Sequence, residues 1–154
     1  MKKTQKRITL GLVAVLGVMQ FFRIDKAVPA SDPSNDLLRV ASPPGEVASL
    51  LKIACYDCHS YQTEYPWYTN IAPVSWWIGH HIEEGRAHLN FSDWGAYETG
   101  DQLEFLHECA EEVEAENMPL PSYTWAHGTA ALSDYQRTLL KNWFNSGLVG
   151  MNMR

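Results

Sequence analysis

Hydrophobic positions along the chain form one long apolar run and four shorter periodic segments. Residues Ile8–Phe22 hold no charge and a single amide, Gln20, directly after a stretch carrying Lys2, Lys3, Lys6 and Arg7. As a helix this run reaches roughly 22 Å, against a bilayer core of about 30 Å. Snorkelling of Arg7 and Arg23 makes up the difference. The run therefore predicts an export segment. An uncleaved anchor helix is favoured, because the best small-residue cleavage site, Val28-Pro29-Ala30, sets proline beside the cut. The positive-inside bias keeps the basic end cytoplasmic and sends the remainder across the membrane.

Ala27–Gly45 shows no helical period and contains Pro29, Pro33, Pro43 and Pro44, which predicts a linker. Helical periods then resume. Ser42 is the expected cap of a first helix with Pro43 and Pro44 in its opening turn and Val47, Leu50, Leu51 and Ala54 on one face. A second helix is expected from Pro73 to about His88, with a stripe of Trp77, His81, Glu84 and His88 flanked by Trp76 and His80. A third runs from about Asp101 to Glu114. It turns Leu103, Leu106, Cys109, Ala110 and Val113 to one side and a row of carboxylates to the other. The last starts at Ser133, which forms a capping box with Gln136. Leu132, Tyr135, Leu139, Leu140 and Trp143 make its apolar face, and Gly147 is the expected stop. With no convincing period-two segment, the predicted class is all-α. The expected organisation is a signal or anchor at 1–26, a linker at 27–44, one folded domain at 45–148 and a tail at 149–154.

Composition sharpens this picture. The chain of 154 residues suits one domain. Its 12 basic and 18 acidic residues give a net charge of -6, which argues against nucleic-acid binding through a broad basic face. The total conceals a division. Residues 1–30 carry six cations against the lone Asp25, whereas residues 31–154 carry six cations against seventeen acids. Eight of those acids lie between Glu98 and Glu116. They are either a solvated helix face or a docking patch for a basic partner protein.

The first predicted helix ends in Cys55-Tyr56-Asp57-Cys58-His59, the C-x-x-C-H attachment sequence for a c-type haem. Two thiols three residues apart on one turn can each form a thioether to the same macrocycle. The adjacent histidine then brings a ring nitrogen to the iron. A thioredoxin-like pair lacks its strand–helix context, and a zinc site lacks a second ligand pair. A structural disulfide remains the alternative in an exported chain. For the sixth iron position the candidate is Met118, held by Pro119 in a loop after the third helix. Its alternative is a core gap-filler. His80, His81, His88, His107 and His127 are rivals, His81 foremost, while Met151 and Met153 stand in the tail. Tyr65, Trp67, Tyr68, Trp76 and Trp77 follow the motif closely, and some of them are expected to pack on the macrocycle. Arg86 is a candidate partner for a haem propionate or a carboxylate. Cys109 reads as a buried, inert thiol.

Further blocks carry a resemblance. They are Ala54–Ser60 around the motif, Tyr65-Pro66-Trp67-Tyr68, Ile71–Trp76, Glu84-Gly85-Arg86, Leu89–Trp94, Met118-Pro119-Leu120, Tyr123, His127 and Leu132-Ser133. Together they resemble the small bacterial membrane-anchored haem-binding domain proteins, from the anchor to Leu148. Tyr61 departs from the family pattern, which commonly has asparagine there. The resemblance implies a monohaem c-type domain, cytochrome c-like and wrapped around one covalent haem, with Cys55, Cys58 and His59 at the haem and Met118 as the distal iron ligand.

The expected role is electron transfer rather than catalysis, with His/Met iron ligation. The expected place is the outer face of the cytoplasmic membrane, with a redox partner protein. A haem-based sensor or peroxidase-like enzyme with an open sixth position, and a subunit of a larger respiratory complex, are the competing expectations.

Overall fold

The computed structural model of the chain describes residues 2–152, with side chains through residue 147. Met153 and the side chain of Met151 lie outside the described residues. Among the described residues there are eight α-helices and no strand, as the all-α reading requires.

The basic stretch and most of the apolar run form α1 (Lys2–Met19), none of whose residues is buried. Its opening turns contain Lys2, Lys3, Lys6 and Arg7, and its end at Met19 leaves Gln20–Phe22 in a turn. Among the described residues no helix is long and apolar enough to cross a membrane, so the spanning anchor helix expected from the sequence finds no support there.

The segment expected as a linker is partly structured. A 3-10 turn spans Pro33–Asn35 and a short α2 spans Leu37–Val40. Asp36 caps α2 by accepting from Leu38 N at 3.0 Å, and Leu37 is fully buried in the core. Ser42 adopts a left-handed conformation, φ 44°, and donates to the Arg39 carbonyl. It therefore closes α2 instead of capping the next helix. That helix, α3 (Gly45–Ala54), starts after Pro44 and buries Val47, Leu50, Leu51 and Ala54, the face its period predicts.

One turn, α4 (Tyr56–His59), follows, and then α5 (Val74–His88), preceded by Pro73. The buried side of α5 is Ser75, Gly79 and Ile82 rather than the aromatic stripe. A 3-10 segment at Phe91–Ala96 leads to α6 (Thr99–Glu114), which buries Leu106, Ala110 and Val113. A short α7 (Pro121–Ala126) precedes α8 (Asp134–Asn152). The Ser133–Gln136 capping box forms reciprocally, at 2.9 and 3.3 Å. The helix does not stop at Gly147. It runs on to Asn152, and Gly147 instead permits close packing on α6, since a Cβ there would lie 2.9 Å from Leu106 Cδ1.

The core is built by α2, α3, α4, the Phe91–Ala96 segment, α6 and α8, through Leu37, Leu51, Phe91, Leu106, Leu140 and Phe144 among others. The rest of the domain, chiefly α5, α7 and the loop between α4 and α5, encloses a cavity.

Candidate functional site

The C-x-x-C-H residues sit where α3 breaks into α4. Cys55 joins the two helices at φ −126°, ψ −40°. Its carbonyl accepts from Cys58 N at 3.2 Å and His59 N at 3.0 Å, so the motif closes on itself as one turn. The two intervening residues fix that turn in place. Tyr56 is buried, stacks on Phe91 at 5.4 Å between centroids and donates from its hydroxyl to Asp36 Oδ1 at 3.0 Å. Asp57 accepts from Glu64 N and from the Tyr123 hydroxyl, both at 2.8 Å.

All three cysteines are free. Burial pushes the Cys55 thiol up to about 12, with nearby Cys58 adding to the effect. Burial likewise raises Cys58 to about 11, helped by Asp57 and opposed by Arg86. At neutral pH both are uncharged thiols. The His59 Nδ1 lies 3.1 Å from the Leu89 carbonyl oxygen. A carbonyl only accepts, so this nitrogen carries the proton and Nε2 is the basic one. Burial lowers the His59 pKa, against hydrogen bonds to the Leu89 and Gly85 carbonyls. The ring is therefore held in the neutral form that a metal takes.

Beside this turn opens a cavity of about 1040 Å³, at the upper end of the roughly 300–1000 Å³ usual for cofactor sites. Its walls are mainly aromatic and aliphatic, from Tyr65, Trp67, Tyr68, Trp77, Tyr123 and Trp125, with Cys58 among them. A flat apolar macrocycle needs a slot of this size and lining next to its attachment point, so the residues present fit haem. Four of the five aromatics expected to pack on the macrocycle line the cavity. The fifth, Trp76, instead donates from Nε1 to the Phe22 carbonyl. Cys55, His59 and Met118 are not among the lining residues.

Met118 follows α6 directly. That helix ends in a Schellman turn in which Asn117 N bonds the Glu112 carbonyl at 3.0 Å and Glu116 N the Val113 carbonyl at 3.4 Å. Glu116 takes the left-handed position, φ 60°, usually given to glycine. Arg137 Nη1 donates to the carbonyls of Val113 and Met118, both at 3.0 Å. The Met118 backbone is thus held from both sides, half-buried, two residues before Leu120 enters the cavity wall.

The rival histidines separate cleanly. His80, His88 and His107 pair with Glu84, Glu108 and Glu111 at 3.2, 3.0 and 3.4 Å. His81 and His127 line the cavity. His127 donates from Nδ1 to the Tyr123 carbonyl, and its Nε2 accepts from the Tyr68 hydroxyl at 2.9 Å. His81 donates from Nδ1 to the Trp77 carbonyl at 2.8 Å, which leaves Nε2 as its basic nitrogen.

Arg86 is not among the residues lining the cavity, and it pairs with no carboxylate among the described residues. It donates to the Ser60 carbonyl at 2.7 Å and to Thr63 Oγ1 at 2.8 Å, clamping the loop that follows the motif. Cys109 is packed against the core, where burial raises its thiol. Asp36 was missed by sequence reading, although an acid directly before the Leu37-Leu38 pair is a helix-start signal. Among the described residues no cluster of three or more His, Cys, Asp or Glu side chains is arranged to hold a metal ion.

A family model described as a haem-binding domain matches residues 14–146. No curated protein and no solved structure matches the chain. The family match spans the motif turn, every residue lining the cavity and the α6–α8 core that supports them. The chain belongs to the haem-binding domain family.

Proposed function

We propose that this haem-binding protein is a monohaem c-type electron carrier at the extracytoplasmic face of a bacterial cytoplasmic membrane. The observation that carries the reading is that Cys58, within a C-x-x-C-H turn, stands in the wall of a large aromatic cavity. Cys55 and Cys58 would hold the haem through two thioethers, each thiol adding S–H across a vinyl group with nothing released. His59 would offer Nε2 to the iron, and Met118, its backbone held by Arg137, would offer its sulfur. The haem would supply an iron that changes oxidation state. The rings of Tyr65, Trp67, Tyr68 and Trp77 exclude water around it, and thioether ligation together with burial raises the potential. Such a site carries electrons and performs no substrate chemistry. A basic redox partner suits the acidic α6.

Haem staining after denaturing electrophoresis tests the attachment. The stain is expected in the native sequence and lost in the Cys55→Ala, Cys58→Ala double variant. The ferric protein is expected to be low-spin with the weak red-region band of iron–sulfur ligation, lost in Met118→Ala. A high-spin native spectrum at neutral pH refutes the carrier reading.

A second reading rests on His81, which lines the cavity while Met118 does not. With His81 as the sixth ligand the iron is bis-histidine and its potential lower. The red-region band is then absent, and His81→Ala rather than Met118→Ala converts the spectrum to high-spin.

A further inference from the structure

The segment after α1 is docked on the domain and encloses a small pocket. Gln20 pairs with the backbone of Ala72 in both directions, its Nε2 donating to the carbonyl and its Oε1 accepting from the amide, each at 3.0 Å. The Trp76 indole donates to the Phe22 carbonyl. Ile24 packs against Gly79 so closely that a Cβ there would come within 2.7 Å of Ile24 Cγ2. Lys26 donates to Thr69 Oγ1 and Asn70 Oδ1, both at 2.9 Å. Between this strap and the start of α5 lies a pocket of about 130 Å³, which shares only Thr69 with the large cavity.

The charges in its lining have one sign. Arg23 and Lys26 stand in the wall and no carboxylate does. Among the described residues neither cation is paired with an acid. Asp25, between them in sequence, instead accepts from Ala27 N at 2.8 Å. Lys26 bonds two neutral oxygens and lies 4.7 Å over the Tyr65 ring, contacts that leave its charge uncancelled. Ser75, in the first turn of α5, is 3% exposed and lines the same pocket. Its hydroxyl has no hydrogen-bond partner among the described residues, where no fully buried side-chain oxygen lacks one, so it opens onto the pocket. The positive end of the α5 dipole lies at the same place. Two cations and an unpartnered buried hydroxyl at a helix start, with no acid, are the donor set of an oxyanion site. A volume of about 130 Å³ equals roughly four waters at about 30 Å³ each, room for one tetrahedral phosphate group. We propose that this pocket binds a phosphate group through Arg23, Lys26 and the Ser75 hydroxyl. Inorganic phosphate and a phospholipid headgroup present that same chemistry.

The test is an amide NMR titration of the full chain in phosphate-free buffer and a detergent without phosphate. One arm adds inorganic phosphate and the other glycerophosphoglycerol, the headgroup diester, each against chloride at matched ionic strength. Saturable shifts are expected at Arg23, Lys26 and Ser75 in at least one arm. Arg23→Met and Ser75→Ala are each expected to weaken binding roughly tenfold, as loss of a hydrogen bond to a charged group does. Lys26→Met is expected to weaken it as well, but it also releases Thr69 and Asn70 from the strap. The other two therefore decide, since Arg23 is exposed and Ser75→Ala removes a single unpartnered hydroxyl. Tighter binding of inorganic phosphate supports the site and names the free ion as its ligand. Binding of the diester at least as tight supports the site and names the headgroup. Shifts that never saturate in either arm overturn the proposal. Saturable shifts that both Arg23→Met and Ser75→Ala leave unchanged overturn it too, because the anion then binds elsewhere.

Discussion

Arg86 reaches back from α5 to bonds 26 and 23 residues earlier, at Ser60 and Thr63. Ser60 is fully buried and Thr63 stands in the cavity wall, so this one guanidinium couples the motif turn to the cavity. Arg86→Met is expected to cost about 1–3 kcal/mol, the usual loss when buried acceptors are left unpaired, measured by urea unfolding. Arg86→Lys is not expected to restore it, since a point ammonium cannot reproduce the two-pronged fit. At this scale the turn formed by Cys55–His59 was legible because its spacing is local. Arg86 was not, because its partners lie far off in sequence, and a lone cation in an acidic stretch suggests an anionic partner rather than a carbonyl.

The helices were legible wherever an apolar face meets the core at helical spacing, as in α3, α6 and α8. The stripe on α5 shows where that logic stops. Its start, Trp77 and His81, faces the cavity, while Ser75, Gly79 and Ile82 face the protein. Apolar periodicity reports both kinds of surface alike, so a cofactor face reads as core. The shortest elements escaped because α2 offers a single turn and no period. Asp36 is nevertheless central there, accepting from Leu38 N, the Tyr56 hydroxyl and Gln62 Nε2. Asp36→Ala removes a cap and leaves the buried Tyr56 hydroxyl unpaired, an expected loss of about 2–4 kcal/mol. Asp36→Asn keeps an acceptor and is expected to lose less. Thermal or urea unfolding separates the two.

Across the whole molecule, charge and core are both unevenly spread. The acids of α6 are only partly paired, through His88, His107 and Lys141, and most face solvent. Transfer to a basic redox partner is expected to slow as salt rises, and rates independent of ionic strength would exclude docking through α6. The core cluster contains no residue of α5 or α7, the two helices that supply much of the cavity wall. One half of the domain thus holds itself together, whereas the other is tied mainly by polar contacts around the cavity, the proposed haem site. The two halves are therefore expected to mature in order. In the haem-free chain, amide exchange should be slow in α3, α6 and α8 and fast in α5 and α7, and haem loading should slow the second set selectively. Haem arrival is then the closing step of folding, made on a scaffold already set, with Cys58 still within reach of whatever delivers it.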